Sequence, residues 1–125
     1  MCVDNKATVQ ELKEKVKAFC EERDWDKFHG FKDLSISLII ESAELLENFR
    51  FKSEQETLEM LRSQKTSKGI EDELADVLFN LLRMSQLYHI DISEAFERKM
   101  LENEKKYSIA NSKGQNKKYT EYLNI

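Results

Sequence analysis

A chain of 125 residues, 40% hydrophobic and 35% charged, has room for one domain with a real core but no second domain of useful size. With no proline and only three glycines it lacks the turn residues of a strand-rich fold, and a net charge of −4 gives no electrostatic support to nucleic-acid-polymer binding. The longest apolar run, Leu38–Ile40, is far short of a membrane span, the N-terminus lacks a signal-peptide core, and Cys2 and Cys20 form neither a metal-ligand pair nor a disulfide scaffold. These features predict free thiols in a cytoplasmic protein without a membrane partner.

Thr8-Val-Gln-Glu11 reads as a capping box that opens a helix to about Arg23, with Val9, Leu12, Val16 and Phe19 on one face. The aromatic connection "RDWDKFHGFKD" follows, closed by Asp33 as the expected N-cap of a second helix from about Leu34 to Arg50. Ser53-Glu-Gln-Glu56 is another capping box, starting a short helix through Arg62, and "SQKTSKG" reads as a small, polar linker. Ile70, Leu74, Val77, Leu78, Leu81 and Met84 recur at helical spacing, predicting a long helix from about Ile70 to Tyr88. A third capping box, Asp91-Ile-Ser-Glu94, opens a helix to about Tyr107; beyond it the sequence loses periodicity and is expected to be an extended tail. The fold class is all-α, a four-helix-bundle-like domain over residues 1–107 with residues 108–125 as its tail.

The segment "SLIIESAELLENF" carries Glu41, Glu44 and Glu47 through apolar residues that spread around most of a helical wheel. Residues three apart share a helical face, so Glu41 pairs with Glu44, and Glu73 with Asp76 on the later helix. Packed face to face, the two helices bring four carboxylates into one small volume, and Glu47 adds a fifth from the next turn. Anions so clustered repel one another and are relieved by protons or by cations. Oxygen-only ligands suit Mg²⁺, or Mn²⁺ in its place, and Mg²⁺ completes its shell with waters and substrate phosphates. A di-iron bundle is excluded, because neither His29 nor His89 lies three residues after a glutamate.

The ordered set Glu41-Ser-Ala-Glu44 and Glu73-Leu-Ala-Asp76, with "RDWDKFH" and "ENFRFK" around the first pair, "DELADVLFNLL" around the second and "KKYTEY" near the end, resembles the MazG-like all-α nucleoside triphosphate pyrophosphohydrolases, on the dCTP pyrophosphatase branch. The resemblance covers about residues 21–122. It implies Mg²⁺-dependent cleavage between the α- and β-phosphates, giving a nucleoside monophosphate and pyrophosphate, in a homodimer or homotetramer. It implies Glu41, Glu44, Glu73 and Asp76 as metal ligands, with one of the glutamates, or Glu47, orienting the attacking water. It supports Trp25 and His29 as base-pocket residues, beside Phe28 as a ring suited to stacking. It places Lys99, Asn103 and Lys106 on the last helix where the family's phosphate-facing residues lie.

Three positions depart from the dCTP-selective relatives: Phe51 stands where they carry Trp, Asn80 where they carry Tyr, and Val16 where they carry His. All three are expected near the nucleotide, so the base remains open among cytosine, another base and a modified base. A non-catalytic helical oligomer and a same-fold enzyme acting on a phosphoribosyl nucleotide are the alternative readings.

Overall fold

The computed structural model describes residues 3–122, so Cys2 lies outside the described residues. Among the described residues six α-helices follow one another: α1 Val9–Glu22, α2 Phe31–Glu47, α3 Glu54–Arg62, α4 Gln64–Leu87, α5 Ile92–Lys106 and α6 Ile109–Ser112. No strand occurs among the described residues, in agreement with the all-α expectation. The chain forms two compact units, one ending at Ile90 and the other beginning at Asp91.

In the first unit α4 is the central element, and α1, α2 and α3 all pack on it. Its 24 residues make it the longest helix, about 36 Å at the α-helical rise. The core joins α1 to α4 through Val16, Cys20 and Leu82, flanked by Leu12 and Phe79. Truncating Leu82 to Ala would remove most of that contact, at a cost of roughly 2–5 kcal/mol. Val16, expected near the nucleotide, is a core residue instead.

The capping boxes at Thr8 and Ser53 form in both directions, each side chain accepting from the backbone three residues on while the glutamate accepts in return. At Asp91 only half of the box forms: Asp91 accepts from the Glu94 N–H, while the Glu94 carboxylate pairs with Arg98 at 3.0 Å. Helix α2 starts earlier than expected, with Gly30 as N-cap and Asp33 inside the first turn. An aspartate stabilises either position, through a cap bond or through the helix dipole. The packing of Phe31 edge-on against Tyr88, ring centroids 5.1 Å apart, draws the extra residues into the helix. It also ends earlier, at Glu47, because the Asn48 amide donates to the carbonyls of Glu44 and Leu45. Phe51 then turns the chain at φ +62°.

The stretch expected as a linker is instead the first two turns of α4. Ser63 closes α3 and starts α4, and the Thr66 hydroxyl donates back to the Met60 carbonyl. Polar residues without proline tolerate a helix, and the contact of α3 with α4 adds the stability that local pattern lacks.

Apolar residues spread around most of the α2 wheel. Within the single chain only Leu34 is buried on it, whereas Ile36, Ile39, Ile40 and Leu46 are 47%, 70%, 52% and 69% exposed. Helix α4 covers one side of α2, and Leu74, Leu78 and Leu81 of α4 are themselves exposed.

In the second unit the expected extended tail is folded into α6 and a 3₁₀ turn at Tyr119–Glu121. Tyr107 anchors it, its ring edge-on to Tyr119 and Tyr122 at 6.0 and 6.4 Å. Three tyrosines at irregular spacing carry no helical period, so the clustering is invisible to a periodicity search.

Candidate active site

One carboxylate oxygen each from Glu41, Glu73 and Asp76 lies within 4.8 Å of the others. The arrangement follows from α2 packing on α4: Glu41 projects from one helix, Glu73 and Asp76 from one face of the other. Glu41 and Glu73 are half-buried, and each has an inner oxygen, Oε2, sealed from solvent with no hydrogen-bond partner. Burial raises the pKa of Glu41, and the nearby charges of Glu44, Asp76 and Glu73 raise it further. Glu73 is raised for the same reasons, burial first, then Glu44, Asp76 and Asp72. Glu44 is thus close in charge while standing outside the tight trio. Glu47 points elsewhere and pairs with Arg50 at 3.5 Å.

Orphaned buried carboxylate oxygens are uncommon, because each forfeits its hydration for nothing. Two such carboxylates converging with the exposed one of Asp76 have the donor chemistry of a hard divalent cation: all oxygen, anionic and partly open to water. The residues present therefore fit such an ion.

Glu41 and Asp76 of the trio line a cavity of about 460 Å³, a volume suited to a small organic ligand. Along α2 its lining runs from Asp33 and Leu34 through Ser37 to Glu41; α4 contributes Asp76, Phe79 and Asn80. Phe19 from α1 and Trp25, Phe28 and His29 from the connection complete it. The cavity thus has an aromatic portion and an acidic portion. Phe28 is 63% exposed and Trp25 is 37% exposed, with Phe19 edge-on to Trp25 at 5.5 Å. Rings left open beside a cavity present faces for stacking. Asn80 is buried, and its amide nitrogen donates to the Asp76 carbonyl at 3.0 Å, leaving the amide oxygen as an acceptor.

His29 is clamped from α4. The Arg83 Nε–H donates to His29 Nδ1 at 2.9 Å, and the Tyr88 hydroxyl donates to the His29 carbonyl at 2.9 Å. Arg83 is fully buried, and its remaining nitrogens donate to Gln86 Oε1 at 2.6 Å and to the Asp26 carboxylate. Burial, and then the Arg83 charge, push the His29 pKa down, so the ring is neutral at physiological pH. In the sequence Arg83 simply continues the polar strip of Glu73, Asp76 and Asn80. A lone arginine amid Leu81, Leu82 and Met84 was the available signal.

The other expected residues are placed as follows. Phe51 is 91% exposed in the turn after α2, under the Arg50 guanidinium, and does not line the cavity. In the second unit Lys99 pairs with Glu102 at 3.1 Å, the Asn103 carbonyl accepts from the Tyr107 N–H, and Lys106 lies over the Tyr119 ring.

This fold and acidic site define the class. Residues 36–122 match the MazG-like family, and the chain belongs to it. The chain is similar to dCTP pyrophosphatase 1 from Mus musculus, at 32% identity over 114 residues, 91% of this chain and 67% of that protein. It is 30% identical over the same length to dCTP pyrophosphatase 1 from Homo sapiens, covering 91% of this chain and 67% of that protein. Among solved structures it is similar to a pyrophosphatase from Archaeoglobus fulgidus, with a TM-score of 0.73 and 41% identity over 79% of this chain and 91% of that one.

Proposed function

We propose that this protein is a Mg²⁺-dependent (deoxy)nucleoside triphosphate pyrophosphohydrolase that cleaves dCTP, or a related or modified nucleotide, between its α- and β-phosphates. The broader activity class, nucleotide pyrophosphohydrolase, follows from its family and relatives. The observation that carries the finer reading is a trio of carboxylates, two of them with a sealed, unpartnered oxygen, beside an aromatic cavity that Glu41 and Asp76 line. Glu41, Glu73 and Asp76 would hold the metal. When bound, the ion supplies neutralisation of phosphate charge and a more acidic water.

The chain's own residues do the rest. Trp25 and Phe28 stack the base, and His29 and Asn80 offer a donor and an acceptor to its edge. Glu44, outside the trio, takes the proton from the attacking water. Lys99, Asn103 and Lys106 share one face of α5 and are proposed as phosphate-binding residues.

The protein works as a homodimer or homotetramer in the cytoplasm. The uncovered apolar faces of α2 and α4 support the assembly. The buried free thiol of Cys20 suits a reducing compartment, and no described helix is long and apolar enough to cross a membrane. The test is turnover of a nucleotide panel with and without Mg²⁺, in wild type and Asp76→Asn. The expected result is pyrophosphate release that needs both Mg²⁺ and Asp76.

A further inference from the structure

Resting on the nucleotide reading of the cavity, we propose that Arg83 is a positioning residue that locks His29 into its neutral Nε2–H tautomer, so that the cavity presents a fixed hydrogen-bond donor to an acceptor atom on the base. The argument begins with what a guanidinium can do. It has five N–H donors and no acceptor, so the nitrogen facing Arg83 Nε must offer a lone pair. That nitrogen is His29 Nδ1, at 2.9 Å. A neutral imidazole carries one proton, which must then sit on Nε2.

Nothing in the protein uses that proton. Among the described residues His29 Nε2 has no hydrogen-bond partner, and it is not among the sealed, unpartnered polar atoms. His29 lines the cavity, so the free donor is available to a ligand there.

Arg83 itself is held by its surroundings. It is fully buried, with the Asp26 carboxylate and Gln86 Oε1 taking its two terminal nitrogens. Its Nε–H is therefore left to address His29 alone. The Tyr88 hydroxyl, just past the end of α4, fixes the His29 backbone, and Trp25 stands edge-on to the ring at 6.0 Å. A buried cation with three acceptors on three different residues is more than packing requires, since an apolar side chain would fill the space without desolvating a charge. Its placement makes sense when the second residue it touches has a task. A locked donor favours a base with a ring nitrogen or carbonyl at that point, and leaves a base with an N–H there facing another N–H.

The test is nitrogen-resolved NMR of the His29 imidazole in wild type, Arg83→Met and Arg83→Lys without nucleotide, followed by kinetics on the triphosphate that wild type turns over best. Wild type should show one neutral tautomer protonated at Nε2. Arg83→Met should mix the tautomers and raise KM roughly tenfold or more, with kcat changed by less than about threefold. Arg83→Lys keeps a donor and should restore part of both. If Arg83→Met does not fold, the wild-type spectrum and Arg83→Lys decide. A wild-type His29 protonated at Nδ1 overturns the proposal, as does Arg83→Met with unchanged tautomer and KM, or Arg83→Lys with mixed tautomers and unchanged KM. The expected tautomer in a protein that turns over no triphosphate would remove the nucleotide reading and leave the Arg83–His29 lock standing.

Discussion

Replacing Glu41 by Gln should have opposite effects on the stability of the metal-free protein and on its affinity for Mg²⁺. The Glu41 carboxylate has two other carboxylate oxygens within 4.8 Å. At that separation a like-charge pair costs about 0.9 kcal/mol in a fully aqueous dielectric, and salt screening at a half-exposed site cuts this to about half. Two such neighbours make the relief on neutralising Glu41 about 1 kcal/mol, or about 3–5 °C in Tm for a domain of this size. Wild type should gain stability as Mg²⁺ is added, because the ion binds the folded site alone, and Glu41→Gln should gain little. Thermal unfolding of both proteins with Mg²⁺ or with chelator measures both effects. A Glu41→Gln protein that melts lower than wild type without metal, yet keeps the full Mg²⁺ shift, would refute the reasoning. Protons should mimic the substitution. Because the folded pKa values of Glu41 and Glu73 are raised, the native state binds more protons than the unfolded chain between the ordinary carboxylate value and the raised one. These groups therefore add stability to the metal-free protein as pH falls through that window.

Phe28→Ala should raise KM severalfold while changing stability by less than about 0.5 kcal/mol, since the ring is exposed at the cavity; kinetics and a melting curve check both. Ser53→Ala should cost about 1 kcal/mol in chemical denaturation by removing the cap of α3. Its partner Glu56 has a depressed pKa because the Ser53 backbone N–H and hydroxyl bond to it, so its contribution is present above the ordinary carboxylate pKa and lost as pH falls through the depressed one. A Glu56→Gln protein should lack that acid-limb loss. Ile39→Glu places a charge on the most open part of the α2 face and should reduce the molecular mass measured by light scattering to that of a monomer.

The carboxylate trio was legible, together with Glu44 outside it, because its signal is local. Glu41 with Glu44 and Glu73 with Asp76 stand three apart on helices announced by their own periodicity, and only the packing of α2 on α4 had to be supplied. The caps at Thr8 and Ser53 were readable for the same reason. What escaped is non-local. Arg83 meets His29 and Asp26 across 54 and 57 residues of sequence, and nothing in the spacing of either segment foretells the pairing. The first turns of α4 escaped because polar residues near Ser63 serve a helix start as well as a loop; contact with α3 decides. Helix α2 shows a different limit: apolar residues around most of its wheel do not tell a face covered within the chain from one that the chain leaves open, and Ile36, Ile39, Ile40 and Leu46 lie on the open kind.

The central claim is metal-dependent hydrolysis between the α- and β-phosphates. Phosphorus NMR of the products formed from a deoxynucleoside triphosphate panel with Mg²⁺ tests it most directly. Nucleoside monophosphate and pyrophosphate in equal amounts, absent with chelator and absent in Asp76→Asn, is the predicted result. Nucleoside diphosphate with orthophosphate, or equal turnover in chelator, would contradict it.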